Sequence, residues 1–211
     1  RRAAGVGDRT VLPDRPEAAE EERVSAYGPL DDRPDSGERV GYLAESLGYT
    51  LEMPELDRYR TRLDHQPLNE NGTQYGDLAA LYEWVLDQEA AGCDRYILSL
   101  DQLLSGGLVN SRHTAETLTV TLSNGRSVTD AELLEELLAA LAEDENNQVW
   151  LLDSVMRLAP TVGYAGFGVE EYNALRSYGM EPRPELTGAD LTVENIVADY
   201  RLGGGGTALA P

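Results

Sequence analysis

Acidic and basic side chains follow three of the β-strands that the sequence predicts, at the point where each strand ends. The pairs are Asp31 and Arg33, Asp101 and Arg112, and Asp153 and Arg157. The carboxyl ends of parallel strands meet at one edge of a sheet, and ligands of open α/β sheets bind at that edge. The sequence therefore predicts a polar site built from carboxylates and guanidinium groups.

Two carboxylates in one cleft shift each other's pKa, so that one acts as an acid while the other acts as a base or nucleophile. Glycoside cleavage depends on such a pair. Asp31 and Asp101 are accordingly the candidate catalytic residues of a hydrolase that acts on a carbohydrate or a similar polar substrate. Arg33, Arg112 and Arg157 would position the substrate through bidentate contacts.

Two consecutive glycines, Gly106 and Gly107, follow Asp101 in the chain. Because glycine has no side chain, the backbone amides at these positions could approach a ligand closely. We therefore add both glycines to the predicted substrate-binding residues.

The same residues fit a second function, a non-catalytic binding module for a polar or anionic ligand. An aspartate after a strand is also a common N-cap or turn residue, and neighbouring aspartate and arginine residues often form structural ion pairs. In a binding module each carboxylate would be locked to its own arginine. In a catalytic pair the Asp31 and Asp101 carboxyl groups would face each other across an open cleft, roughly 5 to 10 Å apart.

The elements that position these residues are short apolar runs alternating with helical patterns. Strands are expected at residues 23–30, 49–53, 95–100 and 148–152, and helices at about 35–47, 78–91, 129–143, 170–178 and 192–202. This order predicts an α/β protein with a parallel sheet of about four strands in a Rossmann-like layer. The first half of a (β/α) barrel has the same order of elements and is the alternative.

Several local patterns refine this prediction. Asn124-Gly125 lies between two alternating runs, at 117–122 and 126–129, and predicts an inserted β-hairpin. Thr129 with Glu132 predicts a capping box at the start of the following helix. On the first helix Val40, Leu43, Ala44 and Leu47 share one face, and Trp84 and Trp150 are expected to pack in the core.

Two further segments bear on function. Residues 55–75 have no clear period, and a connection of this length predicts a lid or substrate loop. The glycines within residues 163–168 are not in the order of a dinucleotide-binding motif, so no cofactor site is expected there.

The ends of the chain differ in composition from the middle. Their composition predicts a flexible leader at residues 1–22 and a glycine-rich tail at residues 203–211, with the α/β domain between them at residues 23–202. The sequence does not start with methionine, and a leader of this kind is compatible with an exported protein whose signal has been removed.

Composition narrows the function classes. The formal net charge of −21, from 38 acids and 17 bases, repels phosphate backbones and disfavours a nucleic-acid partner. All the bases are arginine, which excludes a Schiff-base or P-loop lysine from this sequence. One cysteine, Cys93, and two histidines, His65 and His113, cannot supply the usual four ligands of a structural zinc. No apolar run has the length of a membrane span. We expect a small-molecule or saccharide ligand and no cofactor or metal, and the oligomeric state is left open.

Three blocks of the sequence resemble a bacterial family known as domain of unknown function 4127. The blocks are Pro29–Pro34, Leu98–Arg112 and Ser154–Pro160. The family pattern falls on Asp31, Arg33, Pro34, Asp101, Gly106, Gly107, Arg112 and Arg157. Asp32 and Asp153 lie outside that pattern. The resemblance spans roughly residues 23–165 and implies a bacterial protein that corresponds to the N-terminal portion of longer members, but it implies no particular reaction.

Overall fold

The computed structural model describes residues 23–112, 117–155 and 160–202. The strands are β1 (Arg23–Gly28), β2 (Tyr49–Glu52), β3 (Arg95–Ser99), β4 (Thr119–Thr121), β5 (Ser127–Thr129) and β6 (Gln148–Leu152). Four of them form a parallel sheet in the order β2-β1-β3-β6, and β4 and β5 form a separate antiparallel hairpin. The predicted α/β class is confirmed, and the described strands do not close into a barrel.

The helices lie where the chain crosses between strands and after the last strand. They are α1 (Glu38–Ser46), α2 (Leu56–Tyr59), α3 (Leu78–Ala90), α4 (Leu100–Ser105), α5 (Asp130–Leu141), α6 (Val169–Met180) and α7 (Val193–Leu202). Short 3-10 turns occur at Asn110–Arg112 and Gly188–Asp190. The unit β1-α1-β2 has the predicted parallel register, with Arg23 opposite Tyr49 and Ala26 opposite Glu52.

The core lies between one face of the sheet and helices α3 and α5. Alternate residues of β3, Tyr96 and Leu98, are fully buried on that face because side chains of a strand alternate between its two sides. Trp84 and Val85 of α3 and Leu137 and Leu141 of α5 pack against them. Full burial of each such side chain stabilises the fold by about 1.5 to 3 kcal/mol.

The hairpin and the helix after it form as predicted. Gly125 has a φ of 82°, which the turn between β4 and β5 requires and glycine adopts without strain. Thr129 Oγ1 accepts a hydrogen bond from the Glu132 amide while the Glu132 carboxylate accepts from the Thr129 amide, so the capping box at the start of α5 is confirmed. A second apolar cluster, which includes Val120 and Leu133, attaches the hairpin to α3 and α5.

Two local predictions, the end of β3 and the burial of Trp150, were wrong, and the apolar face of the first helix is not buried. β3 ends at Ser99 instead of residue 100, and Asp101 lies in the first turn of α4 (Leu100–Ser105), a helix that the sequence analysis does not predict. No residue of α1 is buried, and Leu47 is 65% exposed, since the helix packs only beside the edge of the sheet at β2. Trp150 is 48% exposed because β6 is the other edge strand.

The long connection after α2 is ordered by its own polar contacts. Asn69 is buried at its centre, where its Nδ2 donates to the carbonyls of Arg60 and Tyr75 and its Oδ1 accepts from Arg62 Nε. Asp57 accepts from the Glu70 amide at 2.6 Å. These bonds hold the segment in one shape, while its role as a lid or substrate loop stays a prediction.

Several predictions fall on residues that the structure does not describe. The leader at 1–22, the tail at 203–211, His113 and Arg157 all lie outside the described ranges. The division of the chain at residues 23 and 202 therefore stays a prediction.

Candidate functional site at the carboxyl edge of the sheet

The structure places Asp31 and Asp101 at the same edge of the sheet. Gly28, the last residue of β1, pairs with Leu98 of the adjacent strand β3, so both chains leave the sheet side by side. Asp31 lies in the loop after β1, and Asp101 lies in α4 directly after β3. Each residue is only 5% exposed, so neither carboxyl group faces open solvent.

Asp31 is paired with Arg33. Arg33 Nε donates to Asp31 Oδ2 at 2.7 Å, and Nη2 lies 2.6 Å from the same oxygen. The backbone amide of Arg33 donates to Asp31 Oδ1 at 3.1 Å. The side chain of Asp31 is 7% exposed and that of Arg33 is 59% exposed, so a buried carboxylate holds an exposed guanidinium. Arg33 contacts Asp31 through Nε and Nη2, and Nη1 takes no part in these contacts.

This pairing determines the ionisation of Asp31. Burial alone would raise the pKa of Asp31, but hydrogen bonds from the Arg33 and Ser36 side chains and the Arg33 amide lower it further than burial raises it. The pKa of Asp31 therefore lies below its ordinary value, and the group is a carboxylate at neutral pH. Asp31 suits the role of an anionic anchor or nucleophile and does not suit that of a general acid.

More carboxylates surround the same guanidinium. The Asp31 hydrogen bond is the main reason why the pKa of Arg33 is raised, and the charges of Asp35 and Asp32 add to it. Asp32 lies 3.6 Å from Arg60, with both side chains about a quarter exposed, at 29% and 26%. The exposed part of this edge thus presents both donors and acceptors, with acids in excess around Arg33.

Asp101 has a different environment. Its Oδ1 accepts a hydrogen bond from Ser111 Oγ at 2.7 Å. Its Oδ2 is buried and accepts no hydrogen bond from any residue that the structure describes. A buried polar atom without a partner is costly, and a catalytic role is one of the reasons for which native proteins keep such an atom.

The two remaining predicted arginines are placed as follows. Arg112 ends the 3-10 turn that also carries Ser111, and its Nη1 donates to Thr161 Oγ1 at 2.5 Å. Arg157 lies outside the described residues. The structure therefore brings together Asp31 with Arg33 and Asp101 with Ser111, while Arg112 reaches toward the segment after β6.

Gly106 and Gly107 terminate α4. Gly106 has a φ of 72°, and its amide donates to Gln102 O, while the Gly107 amide donates to Asp101 O. Both amides are thus engaged by the helix end rather than directed to a ligand. The close backbone approach at Gly106 is made by Gly76, whose amide donates to Gly106 O at 2.7 Å.

Gln102 is the residue at this edge that sequence reasoning missed. It is 2% exposed, and its Nε2 donates to the carbonyls of Leu30 at 3.0 Å and Tyr59 at 2.9 Å. It therefore connects α4 to the loop that carries Asp31 and to the end of α2. In the sequence Gln102 stands between Asp101 and the apolar pair Leu103 and Leu104, and this isolated neutral amide was a signal that could have identified it.

Within residues 23–112, 117–155 and 160–202, no three His, Cys, Asp or Glu side chains are grouped so as to hold a metal ion. None of the helices in those ranges is both long and apolar enough to cross a membrane.

Comparison with known proteins gives one result. The family model described as Protein of unknown function (DUF4127) matches residues 25–181, a range that contains all three sequence blocks. No curated protein and no solved structure matches the chain.

Proposed function

The chain belongs to the family described as Protein of unknown function (DUF4127), and from that premise we propose that it binds a neutral, hydroxylated ligand at the carboxyl edge of its sheet. The ligand would be a saccharide or a chemically similar polar molecule. Arg33 would be the principal contact, and Asp31 would hold Arg33 in position.

One observation carries this proposal. A guanidinium that is 59% exposed is fixed by a carboxylate that is 7% exposed, through contacts of 2.6 and 2.7 Å. A side chain that is already fixed loses less conformational freedom when it binds a ligand, which favours affinity. The edge is also where ligands of open α/β sheets bind.

The charges around Arg33 define the ligand. An anion would meet Asp31, Asp32 and Asp35 as well as Arg33, on a chain whose net charge is −21. Hydroxyl groups both donate and accept, so a neutral hydroxylated ligand can bond to Arg33 and to the partly exposed pair of Asp32 and Arg60. This argues against the anionic ligands that the sequence left open.

A second candidate function is hydrolysis of such a ligand, favoured by the state of Asp101. Its buried Oδ2 has no donor among the described residues, whereas Asp31 is fully paired and ionised. Hydrolysis of this kind needs one carboxyl group as an acid and another as its anionic partner, and two different environments can produce these two roles. In this function a substrate could reach Asp101 only after the groups that cover it move, because Asp101 is 5% exposed, and Asp31 would stay ionised.

The binding proposal is tested with purified protein against a library of glycans and small metabolites, read as a shift in thermal midpoint. We expect a neutral saccharide or polyol to raise the midpoint, and Arg33→Ala to remove the shift. The matched control is Arg126→Ala, because Arg126 is likewise a partly exposed arginine held by a carboxylate, that of Glu136 on α5, and it is 45% exposed. Binding that is equal in the two variants would contradict the proposal.

The hydrolytic candidate needs its own measurement. Release of nitrophenol from a panel of nitrophenyl glycosides is compared between the wild type and Asp101→Asn. We expect Asp101→Asn to abolish turnover and to leave saccharide binding in place, because Asn keeps the shape of the side chain and removes its carboxyl group. Turnover that survives this substitution excludes Asp101 as the catalytic acid.

A further inference from the structure

A cavity of about 210 Å³ lies beyond the C-terminal end of α4. The described residues that line it are Gln74, Tyr75, Ser105, Asn110, Leu118, Tyr164 and Ala165. They come from four separate parts of the chain: the loop before α3, the end of α4 with the 3-10 turn, the residue before β4, and the glycine-containing turn at 163–168. Neither Asp31 nor Arg33 is among them, so the cavity is distinct from the Arg33 pair.

Hydrogen bonds between its walls keep the cavity in shape. Tyr164 OH donates to Asn110 Oδ1 at 3.0 Å, and Asn110 Nδ2 donates to Ser105 O at 2.8 Å. These two bonds connect the turn at 163–168 to the 3-10 turn and to the end of α4. Tyr164 is 5% exposed, so its ring is a wall of the cavity and not a surface side chain.

Asp64 connects the turn at 163–168 to Gln74. Its carboxylate accepts from Gln74 Nε2 at 3.1 Å and from the amides of Ala165 and Gly166 at 3.1 and 3.0 Å. Ala165 has a φ of 56°, which a residue with a side chain adopts only when its surroundings hold it there. The turn is thus held against the loop in a strained conformation, which is common beside binding sites.

The lining determines which ligand would fit. It combines two tyrosine rings with two amides and a hydroxyl, and none of the described lining residues is charged. Burial and the nearby Tyr75 and Asp64 raise the pKa of Tyr164 to about 12, so its phenol is a neutral donor at neutral pH. Aromatic faces together with amides and hydroxyls suit molecules that have C–H faces and several hydroxyl groups.

The size points to a small molecule. A volume of about 210 Å³ corresponds to about seven water molecules at roughly 30 Å³ each. It lies below the range of roughly 300 to 1,000 Å³ that is typical of sites for drug-sized ligands. A single sugar ring has this size, so a longer glycan could place only one of its sugar units in the cavity.

We propose that this cavity is a binding site for one neutral monosaccharide unit. The sugar ring would fill the space that these residues line, and its hydroxyl groups would bond to Asn110, Gln74 and Ser105. The proposal does not depend on ligand binding at Arg33, because the two sites share no residue.

The test is saturation-transfer NMR with D-glucose, D-galactose and N-acetyl-D-glucosamine as probes. We expect saturation of the protein's aromatic protons to reach at least one of these sugars in the wild type. Ser105→Met places a larger side chain in the cavity. It is expected to weaken binding at least about tenfold, which corresponds to a loss of about 1.4 kcal/mol in binding free energy. The matched control is Ser46→Met, because Ser46 is exposed and is likewise the last residue of its helix.

A milder variant covers the case in which Ser105→Met does not fold, as judged by its thermal midpoint. Tyr164→Phe keeps the ring and removes the hydroxyl that orients Asn110. It is expected to weaken binding about fivefold, the effect of one hydrogen bond. The inference is overturned if none of the three sugars binds at millimolar concentration, or if Tyr164→Phe binds as tightly as the wild type.

The outcome also separates this site from the Arg33 pair. Loss of the sugar signal in the cavity variants, with binding retained in Arg33→Ala, supports the cavity site. Loss of the signal in Arg33→Ala alone overturns the cavity site and supports the function proposed for the edge.

Discussion

Gly76 and Gly106 approach each other so closely that a side chain fits on neither. The Gly76 amide donates to Gly106 O at 2.7 Å, and a Cβ built on Gly106 would lie 2.6 Å from Gly76 O. A Cβ built on Gly76 would meet Gln102 Oε1 at 2.7 Å. This contact joins the long loop after α2 to the end of α4, so it supports both the Asp101 region and the cavity beyond α4.

The first prediction concerns this contact. Gly106→Ala is expected to lower the free energy of unfolding by about 2 to 5 kcal/mol, because the strain of a positive φ adds to the overlap with Gly76. Urea unfolding followed by circular dichroism measures the change.

Gly48→Ala is the matched control. Gly48 has a similar φ of 78°, but a Cβ there would meet nothing within 4 Å. It should therefore show only the conformational cost, about 1 to 2 kcal/mol. Equal losses in the two variants would mean that the contact with Gly76 is not tight in solution.

The second prediction concerns the pH dependence of the pair formed by Asp31 and Arg33. Because the pKa of Asp31 is lowered on folding, its pairing stabilises the protein above the unfolded pKa of about 3.9 and this stabilisation disappears as pH falls through the folded pKa. Asp31→Asn should thus be less stable than the wild type by about 1.5 to 3 kcal/mol at pH 7. The difference should hold down to about pH 5 and shrink below about pH 4.

Urea unfolding at a series of pH values measures this difference. Asp35→Asn is the control, because the pair of Asp35 with Arg39 is exposed and should contribute little at any pH. A gap between wild type and Asp31→Asn that stayed constant into strong acid would show that the carboxylate charge is not what stabilises the pair.

Much of the fold could be predicted because the signals are local. The Asn124-Gly125 turn, the capping box of Thr129 and the glycines that end helices each depend on the conformation of a few neighbouring residues. The end of β3 could not be located, because the apolar residues Ile97, Leu98 and Leu100 fit a buried strand and a buried helix equally well. The exposure of Leu47 and Trp150 depends on which strands lie at the edges of the sheet, and no local sequence pattern predicts the order of the strands.

The candidate site was predictable to a smaller extent. Placing Asp31 and Asp101 at one edge needed only parallel strands, which the βαβ order implies. Each of these two arginines follows an aspartate in the sequence. The sequence therefore could not show that Arg33 would bind Asp31 while Arg112 would contact Thr161. Nor could it show that Gly106 accommodates Gly76, because the two are far apart in the chain and meet only in the folded protein.

The third prediction concerns the hydrogen bond that holds Asp101. Ser111→Ala removes the donor to Asp101 Oδ1 and leaves a buried carboxylate with neither oxygen bonded to the described residues. The expected loss in the free energy of unfolding is about 1 to 3 kcal/mol. Thermal and urea unfolding give the value.

Ser99→Ala provides the contrast for that prediction. Ser99 is 1% exposed, and its Oγ has no hydrogen-bond partner among the described residues. Removing an unpaired buried hydroxyl should leave stability unchanged or raise it by up to about 1 kcal/mol. If Ser99→Ala were the more destabilising of the two, the polar contacts around Asp101 would have to be reassigned.

The last prediction concerns Gln102, the residue on which the geometry of the edge depends. Its Nε2 is the donor to Leu30 O, directly before Asp31, and to Tyr59 O, directly before Arg60. Gln102→Met keeps the length of the side chain and removes both bonds, so the buried carbonyl group of Tyr59 and the partly buried one of Leu30 lose this donor. The expected loss is about 2 to 5 kcal/mol, whereas Leu103→Met, at the neighbouring position that is 7% exposed, should cost less than about 1.5 kcal/mol. Hydrogen exchange of the amides at residues 31–33 gives the local effect, since both loops lose their common anchor in Gln102→Met. Unchanged exchange there, together with a stability equal to that of Leu103→Met, would show that packing rather than the amide of Gln102 positions Asp31 beside α4.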